Sequence, residues 1–301
     1  SVKATINLTG TPDGGSHPAH IHMNSAAEGG PIAVSFNPVN GSTGTSITDI
    51  DSFDDGSALT YTDLLDYDGY VNVHLSADQL GTIVAQGDIG INELSGNSIV
   101  YDLDERAVPG ISGTITFSER RSGEILSVIA LDGTPEGGSH PAHIHRNAAV
   151  EGGGIAISFN PVDGTTGISR TDLATFDDGT PVTYDELLDY DGYVNVHLSA
   201  DQLGTIVAQG DIGGNELTGE LVEYALAERA IDGISGTSTL YQRKNGNTLA
   251  VLDLEGTPEG GLHPAHIHRN TAAEGGGIVV SFEPVDGTTG MSQTNIRQFD
   301  D

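Results

Sequence analysis

The chain has 301 residues, of which 43 are acidic and only 11 are lysine or arginine, and its formal net charge is −32. This surplus of negative charge argues against nucleic acid and anionic membrane surfaces as partners and favours cations. Cysteine is absent, which excludes disulfides and thiolate metal sites. No apolar run approaches the roughly 20 residues of a membrane-spanning helix, so we predict no membrane insertion.

Short apolar runs rich in Val and Ile, many alternating with polar residues, predict β-strands along the whole chain. One short helix per unit is predicted, at residues 183–190 in the clearest copy. Frequent strands without alternating helices favour an all-β sandwich. In chain order, the predicted strands include Ile32–Phe36, Tyr70–Leu75, Thr82–Ala85, Ile111–Phe117, Ile125–Leu131 and Ile155–Phe159.

Long segments recur at a constant spacing of 123 residues. The string GGSHPAHIHMN at Gly14–Asn24 returns as GGSHPAHIHRN at Gly137–Asn147 and as GGLHPAHIHRN at Gly260–Asn270. A second string, DYDGYVNVHLSADQLGTIVAQGDIG, occupies Asp66–Gly90 and Asp189–Gly213. Because no gap is needed to align the copies, we interpret the chain as a tandem array of near-identical units.

The ends of the chain do not coincide with the ends of a repeat. We expect three domains: residues 1–99, a unit that lacks its first strands; residues 100–222, a complete unit; and residues 223–301, a unit that lacks its C-terminal part. An incomplete sandwich would expose unpaired strand edges. We therefore expect the ends to continue into further repeats, or to dock on neighbouring copies by strand addition, which gives a head-to-tail fibre or surface array.

All eleven histidines fall within two short motifs, HPAHIH and YVNVH. Alternate residues of a strand share a face, so His20 and His22 project together, and His74 shares a face with Tyr70. Two neighbouring strands could bring His20, His22 and His74 around one ion, with His17 as a fourth ligand. An all-imidazole set suits Cu(II) or Zn(II). Ordinary hydrogen bonding along a polar sheet face is the alternative.

The same prediction applies to the other two copies. The candidate metal ligands of the whole chain are His17, His20, His22, His74, His140, His143, His145, His197, His263, His266 and His268.

Acidic loops follow the strands in each unit. FDDG at residues 53–56 and 176–179, and LLDYDG at 64–69 and 187–192, cluster carboxylates near glycines. Such loops could hold Ca²⁺ through oxygen ligands. They match no standard calcium loop, and carboxylates that cap their own turns explain them more simply.

At the histidine motifs the chain resembles the chordin-type domain family, known as CHRD. The segments that carry the resemblance are AHIH at 19–22, EGGPI at 28–32, YVNVH at 70–74 and QGDIG at 86–90. The resemblance covers essentially the whole repeat. It implies a β-sandwich and an extracellular or cell-surface location.

A weaker resemblance links the chain to copper–zinc superoxide dismutase. It implies that His20, His22 and His74 match three copper ligands of that family. Ser35 stands where the family has its metal-bridging histidine, and Ile83 lies near the position of its substrate-guiding arginine. The expected fold class is therefore all-β: tandem Ig-like or dismutase-like Greek-key β-sandwich repeats. The departures predict negligible superoxide dismutation.

Three functions compete on this sequence. A repetitive extracellular structural or surface protein is favoured, since near-identical tandem copies give length to a fibre. A metal-storage or scavenging protein is the second, because repetition raises capacity. A copper redox enzyme is the third, and we expect no enzyme, since no nucleophile–base pair or phosphate loop is visible. The expected cofactor is copper, with zinc as the alternative and calcium possible in the acidic loops.

Overall fold

The computed structural model describes residues 1–300. Three units follow one another, which we call the first unit (residues 1–90), the second unit (residues 94–213) and the third unit (residues 217–296). The first unit contains β1 (Val2–Asn7), β2 (Ser16–His17), β3 (Ala19–Met23), β4 (Ile32–Ser35), β5 (Val39–Asn40), β6 (Thr45–Ile50), α1 (Tyr61–Leu65), β7 (Asp68–His74) and β8 (Ile83–Gly90).

The second unit begins with two further strands and then repeats these elements, and the third unit repeats the second as far as the counterpart of β6 within the described residues. The second unit contains β9 (Leu94–Glu105), β10 (Ser112–Arg120), β11 (Ile125–Asp132), β12 (Ser139–His140), β13 (Ala142–Arg146), β14 (Ile155–Ser158), β15 (Val162–Asp163), β16 (Ile168–Leu173), α2 (Tyr184–Leu188), β17 (Asp191–His197) and β18 (Ile206–Gly213). The third unit contains β19 (Leu217–Leu226), β20 (Ser235–Arg243), β21 (Thr248–Glu255), β22 (Leu262–His263), β23 (His266–His268), β24 (Ile278–Ser281), β25 (Val285–Asp286) and β26 (Met291–Ile296).

The second unit is a β-sandwich made from one curled antiparallel sheet. Its ten strands run in the order β12-β15-β16-β11-β10-β9-β18-β17-β13-β14. Strands β9 and β18 join the two halves through the pairs Glu105 with Ala208 and Asp104 with Gln209. The all-β sandwich predicted from the strand pattern is confirmed.

The core lies between the two halves of this sheet. Ile115 and Phe117 of β10 face Ile144 of β13 and Val194 of β17 within one buried cluster. All four side chains are inaccessible to solvent. They occupy alternate positions of their strands, which is the period-two pattern that the sequence showed. This core fixes the two halves of the sheet against each other and so sets the position of the histidine-bearing strands.

The first unit has two four-stranded sheets, in the orders β1-β6-β5-β2 and β4-β3-β7-β8. In the third unit, β19-β20-β21-β26 form one sheet, and two short pairs, β22-β25 and β23-β24, accompany it.

The expected boundaries between units fall inside strands. Position 99/100 lies within β9, which pairs along its length with β10, and position 222/223 lies within β19, which pairs with β20. Each of these strands packs with the unit that follows it. The structural division therefore comes before Leu94 and before Leu217, a few residues earlier than the sequence suggested.

The predicted helix over residues 183–190 is confirmed as a single turn, Tyr184–Leu188. Thr183 caps it by accepting a hydrogen bond from the backbone N–H of Glu186, and the Glu186 side chain accepts one in return. This reciprocal capping satisfies backbone donors that a five-residue helix cannot satisfy by itself. No helix within residues 1–300 is long and apolar enough to cross a membrane.

Candidate metal centre

Three histidines of the first unit converge on one face of a sheet. Strands β3 and β7 are antiparallel neighbours in which His20 pairs with Asn72 and His22 with Tyr70. The ring centroids of His20 and His74 lie 5.1 Å apart, and those of His22 and His74 lie 6.2 Å apart. One nitrogen from each of the three rings lies within 4.8 Å of the other two, so a single ion could bind all three.

The second unit repeats this arrangement. The His143 and His197 centroids lie 5.1 Å apart, and those of His145 and His197 lie 6.2 Å apart. Its three rings also offer nitrogens within 4.8 Å of one another. We call His20, His22 and His74 the first cluster, and His143, His145 and His197 the second cluster.

Backbone carbonyls fix the orientation of two rings in each cluster. Nδ1 of His22 donates to the carbonyl oxygen of Gly30 at 2.8 Å, and Nδ1 of His74 donates to that of Leu80 at 2.6 Å. A carbonyl oxygen can only accept, so the proton sits on Nδ1 and the lone pair of each neutral ring is on Nε2. Metal-ligating histidines are held in this way by their second ring nitrogen.

The first HIH histidine of each cluster turns Nδ1, and not Nε2, toward the other two rings. Nδ1 of His143 lies 3.1 Å from Nε2 of His197. Without a metal, this distance fits an N–H···N hydrogen bond. Two nitrogens at this separation, each about 2.05 Å from an ion, would subtend roughly 100° at it, which suits a four-coordinate centre. The ligand atoms would therefore be one Nδ1 and two Nε2 in each cluster.

Several ring nitrogens in the clusters are buried without a hydrogen-bond partner. They are Nδ1 of His20, Nε2 of His22 and Nε2 of His145. Buried polar atoms are nearly always satisfied, because an unpaired one costs about 1–3 kcal/mol. A metal ion would satisfy these lone pairs together, so the donor set fits a bound transition metal.

His17 lies outside the ligand group, although the sequence offered it as a fourth ligand. Ser16 and His17 form β2, which pairs with β5 in one sheet, whereas β3 begins at Ala19 in the other. Pro18 is the corner between the two sheets. His17 is buried, and its Nδ1 lies 3.3 Å from the carbonyl oxygen of His74, to which it donates.

The other nitrogen of the His17 ring points away from the cluster. A Cβ placed on Gly15 would lie 2.7 Å from Nε2 of His17, so this nitrogen faces the preceding turn. His140 repeats the arrangement, with Nδ1 3.3 Å from the carbonyl oxygen of His197. Both residues therefore hold the backbone of a candidate ligand instead of contributing a nitrogen.

Replacement of His17 by alanine should weaken metal binding at the first cluster about 10- to 100-fold, the range found for groups that support a ligand indirectly. The ligand nitrogens remain, but the backbone of His74 loses its hydrogen-bond donor. Titration calorimetry with Zn²⁺ measures this, and the untouched second cluster is the control in the same chain. A loss as large as that of a direct ligand would contradict the assigned position.

The third unit offers only part of the constellation within residues 1–300. The His266 and His268 rings are 5.9 Å apart, as in the other copies, and Nδ1 of His268 donates to the carbonyl oxygen of Gly276. His263 repeats the environment of His17, since its Nε2 lies 2.9 Å from a Cβ placed on Gly261. The described residues bring no third ligand to this pair.

Burial lowers the pKa of three cluster histidines, His20, His143 and His197. Desolvation, followed by the neighbouring His197 and His145, lowers the pKa of His143 to about 4. Burial is also the main cause that lowers the pKa of His20 and of His197. Neutral imidazole is the form that binds a metal, so these rings are ready to bind at neutral pH.

The metal-free protein should lose stability as the pH falls from about 6.5 toward about 4, because the buried rings stay neutral while the unfolded chain takes up protons. A histidine whose pKa is lower in the folded protein than in the unfolded chain adds to the free energy of unfolding above the unfolded pKa. This contribution is lost as the pH falls from the unfolded pKa to the folded one. Denaturant titrations at a series of pH values measure the slope. An NMR titration that gave His143 an ordinary pKa would contradict the prediction.

Carboxylates of the acidic loops mostly cap their own turns. Asp55 accepts hydrogen bonds from the backbone and hydroxyl of Ser57, and Asp178 accepts one from the backbone of Thr180. Asp54 accepts from the backbone and hydroxyl of Ser35. Within residues 1–300 these loops bring together no group of three carboxylates around a point, so the turn interpretation accounts for the geometry and calcium stays a prediction.

The sequence analysis missed the groups that orient the rings. Tyr70 stacks on His22 with centroids 5.0 Å apart, and its hydroxyl accepts from the backbone N–H of Gly30. Gly30 itself must be glycine, because a Cβ there would lie 2.1 Å from the backbone oxygen of Met23. The one available signal was the glycine pair after the HIH strand, which recurs at the same place in each copy.

Comparison of the chain with protein-family models, with curated proteins and with solved structures finds no match in any of the three. The resemblances to chordin-type domains and to copper–zinc superoxide dismutase therefore rest on the quoted motifs alone.

Proposed function

We propose that the protein is an extracellular tandem-repeat structural protein whose units each hold a transition-metal ion, copper in the first place, in a three-histidine cluster. The observation that carries this proposal is the pair of matching clusters, in which the ligand nitrogens lie within 4.8 Å of one another and at least one buried ring nitrogen lacks a partner. A repeated site with pre-oriented ligands is what a metal-stabilised array requires.

The chemistry of the ligand atoms favours copper as the bound metal. Three neutral imidazoles supply no charge and no thiolate, and imidazole binds Cu(II) more tightly than Zn(II) in the general order of divalent metals. The roughly 100° angle at the ion is compatible with either metal. Zinc is therefore the alternative, and the metal that occupies the cluster depends on which of the two is available to the protein.

A structural role is favoured over catalysis. Ser35 lies directly opposite His20 on the neighbouring strand, and its hydroxyl donates to Asp54 at 2.7 Å. This position carries no imidazole that could join a second metal to the first. Ile83, paired with His74, places no cation beside the cluster for an anionic substrate. The metal is accordingly assigned to holding the unit together.

A metal store is the second candidate, because the chain carries two complete clusters within residues 1–300. The two functions differ in what the ion does to the fold. A structural ion stabilises the folded state by about 4 kcal/mol when the free metal is 1,000 times its Kd, and exchanges slowly. A stored ion must leave readily without loss of structure.

Elemental analysis of the native protein, followed by melting curves with and without a chelator, tests the proposal. We expect close to one copper ion per complete cluster, nitrogen hyperfine structure in the EPR spectrum, and a melting temperature that falls on chelation. Metal that leaves quickly while the protein stays folded would support the store. Protein that binds neither copper nor zinc at micromolar concentration would reject both.

The array is tested separately, by sizing and electron microscopy of the native material. We expect head-to-tail filaments. A discrete particle of the size of one chain would contradict the array and leave the metal clusters unaffected.

A further inference from the structure

A buried arginine joins the first unit to the second. The Arg120 side chain is fully buried, and Nη1 lies 2.7 Å from Oδ2 of Asp88 in the first unit. The same nitrogen donates to the carbonyl oxygen of Asn92. Nη2 lies 2.8 Å from Asp172 of the second unit, which also accepts from the Ser25 hydroxyl of the first. We call this set of contacts the first joint.

The second and third units are joined in the same way. Arg243 is fully buried, lies 2.8 Å from Oδ2 of Asp211 and donates to the carbonyl oxygen of Asn215. In each joint the aspartate also accepts a backbone hydrogen bond at 2.8 Å, from Ala26 in the first and from Ala149 in the second. We call this set the second joint.

The two joints differ in the residues around the arginine. Four exchanges at equivalent positions, 123 residues apart, alter the charge: Glu124 becomes Asn247, Arg170 becomes Gln293, Asp172 becomes Asn295, and Ala174 becomes Arg297. Arg297 forms ion pairs of 2.8 Å with Glu151 and 2.9 Å with Asp191 of the second unit. The second joint therefore has a second cation that spans the units.

The charge balance of the joints follows from these exchanges. The first joint sets Arg120 and Arg170, which line one cavity together, against five carboxylates, whereas the second sets Arg243 and Arg297 against three. In both, an exposed cation also pairs with a glutamate, Arg121 with Glu93 and Lys244 with Glu216, which leaves the balance unchanged. The carboxylates of the first joint are Glu28, Asp68, Asp88, Glu124 and Asp172, and those of the second are Glu151, Asp191 and Asp211.

We propose that the first joint is a proton-operated hinge, loose at neutral pH and tightened by mild acid, while the second joint stays closed across the same range. Like charges held together in a partly desolvated interface repel, and protonation of one of them removes that repulsion. The second joint has asparagine in place of two of these carboxylates, at Asn247 and Asn295, which gives the same relief without a proton.

The pKa shifts have the sign that this hinge requires. Burial, and then Glu28, Asp172 and Asp68, raise the pKa of Glu124. Burial also raises the pKa of Asp172, against the opposing hydrogen bond from Ser25 and the charge of Arg120. A raised carboxyl pKa means that the closed state takes up a proton, so closure is favoured at low pH and disfavoured as the pH rises through the shifted value. In the second joint the hydrogen bond from Arg297 lowers the pKa of Glu151.

Amide hydrogen exchange on the whole chain tests the proposal, with the exchange rates corrected for the intrinsic effect of pH. The backbone N–H groups of Ala26 and Ala149 report on the two joints through equivalent hydrogen bonds. At about pH 7.5 we expect the amide of Ala26 to exchange at least about tenfold faster than that of Ala149, since one unit of pKa shift corresponds to a tenfold change. At about pH 5 we expect the two corrected exchange rates to become equal.

The substitution Glu124→Asn introduces one of the exchanges of the second joint into the first, at a position where Asn247 shows that asparagine fits. It should slow exchange at Ala26 at about pH 7.5 by a similar factor and flatten the pH dependence. Equal protection of Ala26 and Ala149 at both pH values would overturn the proposal. So would a first joint that loosens in acid, or a Glu124→Asn variant that exchanges like the parent.

Discussion

Replacing His74 with alanine should abolish metal binding at the first cluster and leave the second cluster occupied. His74 supplies one of three imidazoles, and its ring closes the site against both His20 and His22. The two ligands that remain form an HIH pair on one strand, which binds a transition metal only weakly. We expect the affinity to fall by more than the 10- to 100-fold typical of a supporting residue.

The repeat provides the matched control for this change. His197→Ala should empty the second cluster alone, and the double variant should bind no metal at either place. Metal content after dialysis, measured by mass spectrometry, should drop by one ion for each single substitution. A His74→Ala chain that retains its full metal content would show that the three histidines do not share an ion.

Replacing Arg120 with alanine should destabilise the protein by about 3–5 kcal/mol, the cost of breaking a buried ion pair from one side. The change leaves Asp88 and Asp172 close together without their shared cation, in an interface that already carries excess negative charge. It also removes the donor to the Asn92 carbonyl. Urea denaturation, followed separately for each unit through hydrogen exchange, measures the loss.

Arg121, the next residue along the same hairpin, is the control. Its side chain is 47% exposed and its contact with Glu93 is 3.4 Å long. Exposed pairs of this kind contribute between zero and about 1 kcal/mol. Arg121→Ala should therefore be nearly neutral. Equal effects of the two substitutions would mean that the buried guanidinium does not hold the joint.

The sequence predicted those parts of the fold that depend on local pattern. Alternation of apolar and polar residues placed His20 and His22 on one face of a strand, and the YVNVH motif placed His74 on the matching face. The capped helix at Tyr184–Leu188 also followed from local signals. These features need only the geometry of a single strand or turn.

Other features depend on partners that are distant in the sequence. His17 seemed to belong with His20 because they are three residues apart, yet Pro18 sends them into different sheets. Arg120 lies in an ERRSG hairpin, where a solvated charge is the ordinary expectation, and only the packing of two units reveals its burial. The division between units moved because β9 pairs forward with β10, which no property of β9 itself could show.

The corner at Pro18 has a mechanical consequence. The HPAHIH segment of the first unit begins in one sheet and ends in the other, and the carbonyl of His74 accepts a hydrogen bond from His17 in this segment. A load that separates the two sheets must therefore pass through this segment, and an ion bound by His20, His22 and His74 would anchor the end of the segment in β3 to the neighbouring β7. We expect single-molecule stretching to show a higher rupture force for the metal-loaded chain, with the greatest difference when the sheets are pulled apart in shear.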